Sequence, residues 1–129
     1  MSSGESPEHK KLVRALIEYF NRNSFSVTNA DCDGYVQCEE MNGRIPDVMG
    51  KNTQGLIAIG EAKTCDDLDN DRTNEQFKIF SSRMVSQGNS KGQTCPFYIE
   101  IHESCINELK QNLKKLGLDQ KTNIKIIYF

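Results

Sequence analysis

Tryptophan is absent from this 129-residue sequence, which also has only three prolines and two histidines. It lacks any apolar run near the length of about 20 residues that spans a membrane as a helix. Its first residues are polar and lack the apolar segment of a secretion signal. We therefore expect a single cytoplasmic domain over residues 1–129, with a disordered tail at residues 1–5 and no membrane partner.

Paired cysteine motifs are also missing. The five cysteines are Cys32, Cys38, Cys65, Cys95 and Cys105. Their number is odd, and no two have the spacing of a C-x-x-C motif or a zinc site. This pattern favours reduced, mainly structural thiols over disulfides or a metal centre.

The sequence also lacks a strong excess of charge of either sign, since its net charge is only −2. A protein that coats nucleic acid through bulk electrostatics would be basic, so this class is disfavoured. The distribution is uneven, because residues 1–75 carry eight Lys and Arg against fourteen Asp and Glu, whereas residues 76–129 carry eight against four. The acidic half would need a cation before it could approach DNA.

The most informative segment is a predicted hairpin, with strands over 45–49 and 56–63 and a polar turn between them. Side chains alternate along a strand, so Glu61 and Lys63 lie on the same face. The hairpin brings Asp47, on the first strand, within reach of Glu61. Two carboxylates and a lysine should therefore meet at one end of a small sheet.

This grouping suits the hydrolysis of phosphate esters. Carboxylate oxygens from Asp47 and Glu61 are ligands that Mg²⁺ prefers, and the ion completes its shell with water and substrate phosphate. Such an ion can acidify a bound water and neutralise charge on the phosphoryl group. Lys63 could orient that water or stabilise the transition state.

At these positions the sequence resembles the PD-(D/E)XK nuclease superfamily. Pro46–Asp47 matches the PD element, and Glu61–Ala62–Lys63 matches the E-x-K element. The resemblance implies a restriction-endonuclease-like core that hydrolyses phosphodiesters with Mg²⁺, for which Mn²⁺ should substitute. Ala62 would contribute its carbonyl oxygen as a third metal ligand.

A first helix is predicted from Ser6–Pro7 to about Arg22. Glu18 projects almost opposite the apolar stripe of this helix, whereas Glu8 lies nearer its edge, so Glu8 is the candidate for the metal site. Holliday-junction-resolvase-like members of the superfamily carry a glutamate early in this helix, which Glu8 resembles. A structural role for Glu8 in the first turn stays open, because the helix dipole favours a carboxylate there. Neither histidine is assigned a role.

An acidic loop after Lys63 is followed by a second predicted helix, from Thr73 to Gly88. Gln76 has two interpretations. It can close a capping box with Thr73, or it can lie near the phosphate, where related nucleases often place a glutamine on this helix. Both stay open.

The remaining elements complete the predicted fold. Further strands are expected over 25–30, 35–38, 96–102 and 123–129, with a third helix that begins at Ile106 and ends at Gly117. The last strand must be paired or covered, inside the sheet or at the seam of a homodimer. This order predicts an α/β fold, a three-layer α/β/α domain with a mixed central sheet.

The predicted function is that of a Mg²⁺-dependent phosphodiesterase, a DNA endonuclease that acts on duplex or branched substrates such as Holliday junctions. Asp47, Glu61, Lys63, Glu8 and Gln76 form its predicted site. Two alternatives stay open, namely a nuclease-fold module that binds nucleic acid or a protein without cutting, and a plain surface ion pair. The choice of DNA over RNA, the endonucleolytic or exonucleolytic mode and the oligomeric state are not determined.

Overall fold

Five strands form one mixed sheet in the order β1-β2-β3-β4-β5 in the computed structural model, which describes residues 6–86 and 88–128. The strands are β1 (Ser26–Ala30), β2 (Val48–Lys51), β3 (Ile57–Ala62), β4 (Phe97–Ile101) and β5 (Ile124–Tyr128). The helices are α1 (Pro7–Arg22), α2 (Asp71–Phe80) and α3 (Ile106–Lys115). β1, β2 and β3 pair antiparallel, and β3, β4 and β5 pair parallel.

The predicted α/β class with three layers is confirmed. On one face of the sheet, α1 buries an apolar stripe that includes Leu12, Leu16 and Phe20. On the other face, α2 and α3 pack against the parallel strands, with Phe77 and Leu109 in the core. The connections β3-α2-β4 and β4-α3-β5 place their helices on the same face because such crossovers share one hand.

The predicted disordered tail at residues 1–5 lies outside the described residues. Among the residues that are described, no helix combines the length and apolarity needed to cross a membrane.

Two glycines let α1 approach the sheet closely. A Cβ atom on Gly60 would lie 2.7 Å from the Leu16 Cδ2 atom, and one on Gly50 would lie 2.9 Å from Phe20 Cδ2. These distances are shorter than van der Waals contact, so a side chain at either position would displace the helix residues. The backbone of β2 and β3 therefore sets the height of α1 above the sheet.

Two local predictions were wrong. Residues 35–38 form no strand, because β1 takes β2 as its antiparallel partner. The cap of α2 is Asn70, whose side chain accepts a 2.8 Å hydrogen bond from the Thr73 N–H, so α2 begins before the predicted capping box. The helix also ends earlier than Gly88, at Phe80, where the next two serines donate to the carbonyl of Lys78.

The prediction of reduced thiols was wrong for two cysteines, since a disulfide joins Cys65 and Cys105. Cys65 follows β3, and Cys105 follows β4. The carboxyl ends of adjacent parallel strands lie side by side, which brings together residues that are 40 positions apart. Sequence spacing carries no signal of such a pairing. The other three cysteines are free.

Candidate functional site

Four segments converge at one edge of the sheet. β1 and β3 run in the same direction, so Asp31, after β1, and Glu61, near the end of β3, lie at the same edge. β2 runs the opposite way and brings its start, next to Asp47, to this edge. α1 begins here too, with His9 in its first turn. The carboxyl ends of strands in open α/β sheets are common positions for ligand sites.

Hydrogen bonds fix the two carboxylates of the predicted hairpin. The Asp47 N–H donates to Glu61 Oε1 at 3.1 Å, and the Ala62 N–H donates to Asp47 Oδ2 at 2.9 Å. Asp47 is 7% exposed and Glu61 is 2% exposed. The hairpin thus holds both acids at the sheet edge with little contact with solvent.

Lys63 is buried among acceptors. Its Nζ atom donates to Gln76 Oε1 at 2.5 Å and lies 3.4 Å from Glu61 Oε2. A third acceptor, Asp67 Oδ2, lies 3.6 Å away. A buried ammonium needs such partners because its desolvation is costly. Gln76 therefore acts on the lysine, and the interpretation as a capping residue is excluded because Asn70 caps α2.

The electrostatics of Glu61 reflect its burial. Desolvation raises the pKa of Glu61 well above its usual value, and the negative charge of Asp47 adds to the rise. Lys63 acts in the opposite direction but does not cancel these effects. A cation next to Asp47 would relieve the repulsion between the two acids.

A second group of side chains lies on the other side of Asp47, and sequence reasoning did not find it. His9, Asp31 and Asp47 each place one ligand atom within 4.8 Å of the others. His9 Nε2 lies 3.2 Å from Asp47 Oδ2, and the Asp31 N–H donates to the Asp47 carbonyl at 2.7 Å. One imidazole and two carboxylates form a ligand set that divalent ions accept.

The imidazole of His9 carries a further signal. Its hydrogen bond with Asp47 raises the pKa of His9 above the usual value, while burial opposes the rise. The other ring nitrogen, Nδ1, is buried and has no hydrogen-bond partner among the residues that the structure describes. Buried polar atoms are usually paired, so a bound water or ligand would be the expected partner of this nitrogen.

Glu8 does not join this cluster. It is exposed in the first turn of α1, and its neighbour His9 contacts Asp47 instead. One residue along a helix is a rotation of about 100°, which separates an inward position from an outward one. His9 lies three and four residues before Leu12 and Val13, so it belongs to the same apolar stripe, and this spacing could have identified it. The structure thus brings together Asp47, Glu61, Ala62, Lys63 and Gln76 but not Glu8.

Comparison of the chain with protein-family models, with curated proteins and with solved structures yields no match. The function is therefore inferred from the side chains at this edge of the sheet.

Proposed function

We propose that the protein is a metal-dependent nuclease that hydrolyses phosphodiester bonds in DNA. The observation that carries the proposal is the convergence of Asp47, Glu61 and Lys63 on one sheet edge, in the order and context of the PD-(D/E)XK pattern. The His9–Asp31–Asp47 group beside them supports it, because it offers an ion more donors than an isolated ion pair needs.

The donor set fits a divalent ion. Asp47 would hold the ion together with His9 and Asp31, and Glu61 is the further carboxylate next to Asp47. The carboxylates suit Mg²⁺ or Mn²⁺, and the imidazole favours Mn²⁺ over Mg²⁺. When bound, such an ion acidifies a water molecule and stabilises the charge on the leaving oxygen.

The other residues position the reaction. Lys63 would orient the attacking water, with its ammonium fixed by Gln76 and Asp67 so that it cannot swing away. Glu61 Oε2, 3.4 Å from the same ammonium, restrains it further. This arrangement lets one lysine act at a fixed distance from Asp47.

A cytoplasmic location remains a prediction. The disulfide between Cys65 and Cys105 argues against this location, because disulfides are rare in reducing compartments. The predicted homodimer is likewise untested, although β5 lies at the edge of the sheet.

The test is incubation of the purified protein with single-stranded, duplex and branched DNA in Mg²⁺ and in Mn²⁺. Asp47→Asn and Lys63→Ala should each lower the cutting rate by at least about 100-fold, the scale of losing one electrostatic contact to the reacting group. Asp119→Asn serves as the matched control, since Asp119 is an exposed acid in the turn after α3. Circular dichroism checks that every variant is folded.

Each result has a clear meaning. Cutting that survives both site substitutions would contradict the proposal and indicate a contaminant. Salt-dependent DNA binding without cutting would favour the binding module. If neither cutting nor Asp47-dependent Mn²⁺ binding is found, only an ion pair remains.

A further inference from the structure

A polar cavity of about 240 Å³ opens beside the His9–Asp31–Asp47 group. It shares His9 and Asp31 with that group, so anything bound in the cavity would lie next to the candidate ion. One wall is the amino-terminal half of α1, and the other is the loop that follows β1. None of the roles proposed above uses this space.

The loop wall is held in place by the backbone. The Tyr35 N–H donates to the Cys32 carbonyl at 3.1 Å and closes a turn, with Gly34 at a φ of +91°. The Ala30 N–H donates to the Val36 carbonyl at 2.9 Å, which ties the end of the loop back to β1. The cavity is therefore formed before any ligand arrives, and binding would order little additional chain.

The lining combines three chemistries. Lys10 and Arg14 provide cations from α1, and Asp33 and Gln37 provide hydrogen-bonding groups from the loop. Tyr35 provides an aromatic ring that is 40% exposed. A metal site alone would need only acids, and a phosphate site alone would need only cations. A ligand that uses all three has an anionic group, a polar edge and a flat ring face.

We propose that this cavity binds one nucleotide of a single DNA strand, namely the nucleotide that adjoins the phosphodiester at the metal group; this rests on the proposed nuclease function. Lys10 and Arg14 contact its phosphate, and Tyr35 stacks on its base. The volume sets an upper limit of one nucleotide, because the cavity is smaller than the about 300–1,000 Å³ typical of sites for drug-sized ligands. A single strand is required because a base inside a duplex cannot reach an aromatic ring in a cavity.

The chain offers close controls for this proposal. Lys11 is next to Lys10 on α1 and also exposed, but only Lys10 lines the cavity. Arg22 is on the same helix as Arg14, in the last turn, so loss of its charge should leave the cavity unchanged. Tyr128, on β5, is 57% exposed and serves as the control for Tyr35.

The experiment measures binding of a fluorescein-labelled, single-stranded DNA decamer by fluorescence anisotropy. The wild-type chain and the variants are studied with Ca²⁺ in place of Mg²⁺ and Mn²⁺, so that the acidic site carries a cation, and a gel confirms that the decamer is not cut. Tyr35→Ala should weaken binding by about 5- to 150-fold, the range for loss of one base-stacking contact. Tyr35→Phe should retain binding, and Tyr128→Ala should match the wild type. Lys10→Ala should reduce the slope of log K against log salt by about 0.7, and Lys11→Ala should not.

Several outcomes would overturn the proposal. They are equal effects of Tyr35→Ala and Tyr128→Ala, equal effects of Lys10→Ala and Lys11→Ala, and the absence of decamer binding. Free dAMP that binds as tightly as the decamer would assign the cavity to a mononucleotide and likewise overturn the role of a strand.

The two proposals can fail separately. If DNA is cut in an Asp47-dependent way but binding ignores Tyr35 and Lys10, the cavity has another use and the nuclease stands. If binding depends on Tyr35 and Lys10 but no DNA is cut, the nucleotide site stands and the nuclease function falls.

Discussion

The two sides of Asp47 differ in how completely their polar groups are paired. On the closed side, formed by Glu61, Lys63 and Gln76, the ammonium is buried and has three acceptors within 3.6 Å. On the open side, formed by His9 and Asp31, a ring nitrogen has no partner among the described residues, and the group borders a cavity. The closed side therefore holds its side chains in fixed positions, whereas the proposed ion and nucleotide would bind on the open side.

The largest expected effect is the loss of stability when the disulfide that supports the closed side is removed. The short turn Cys65–Asp67 carries Asp67 to Lys63 and is tied to Cys105 by the disulfide. The double variant Cys65→Ser, Cys105→Ser should lower the free energy of unfolding by about 4 kcal/mol, because the bond closes a loop of 40 residues. Urea unfolding measures this, with Cys32→Ser as the control because Cys32 is a free thiol.

The open side should not feel this change. We expect the double variant to bind Mn²⁺ with unchanged affinity, because the disulfide joins the segments after β3 and β4, whereas His9 and Asp31 lie on α1 and after β1. A parallel loss of Mn²⁺ affinity would show that the two sides are coupled. Unchanged stability would show that the disulfide does not form in solution.

The next effect asks which side of Asp47 binds the ion. His9→Ala should weaken Mn²⁺ binding by about 10- to 100-fold, since it removes a donor from the open side. Glu61→Gln should weaken it less, because the Glu61 oxygens already face the Asp47 N–H and the Lys63 ammonium. Isothermal titration of both variants gives the ranking, and the reverse order would move the ion to the closed side.

The last prediction concerns Glu100, a buried acid that, unlike Glu61, has no lysine beside it among the described residues. Glu100 is 3% exposed on β4, its Oε1 atom has no partner among the described residues, and burial raises its pKa to about 8. The folded state keeps a proton that the unfolded chain releases, so Glu100 should lower stability as pH rises from about 4.5 to about 8. Glu100→Gln, which does not titrate, should therefore be more stable than the wild type at pH 8.

Urea unfolding at several pH values provides the measurement for Glu100. The gain should shrink toward zero near pH 4.5, where both states carry the proton. A gain that is equal at both ends of this range would mean that the substitution acts by packing and not by charge.

Sequence reasoning predicted the closed side well because its residues are near in sequence. Asp47, Glu61 and Lys63 belong to one hairpin, where alternation along the strands fixes which side chains meet. Gln76 was harder, since its role depends on where α2 begins, and the predicted capping box placed that start at Thr73. Only the three-dimensional structure shows that Asn70 caps α2 and that Gln76 is free to contact Lys63.

The open side depended on tertiary pairing. Asp31 reaches Asp47 only because β1 pairs with β2, whereas the sequence predicted a further strand over residues 35–38. Glu8 was chosen over Glu18, but the side chain that reaches Asp47 belongs to His9, one position further along α1. The polar character of histidine concealed its place in the apolar stripe. The disulfide needed the parallel pairing of β3 with β4, which local patterns do not specify.

The close approach of α1 to the backbone at Gly60 also sets the position of His9 in the candidate site. Leu16 rests directly on this glycine, and His9 stands seven residues earlier on the same rigid helix, about 10 Å along its axis. A methyl group at position 60 would displace α1 and so alter the distance between the His9 imidazole and the Asp47 carboxylate at the amino-terminal end of the helix. A substitution at a position outside the candidate site would thus change the spacing of the ligands for the proposed ion.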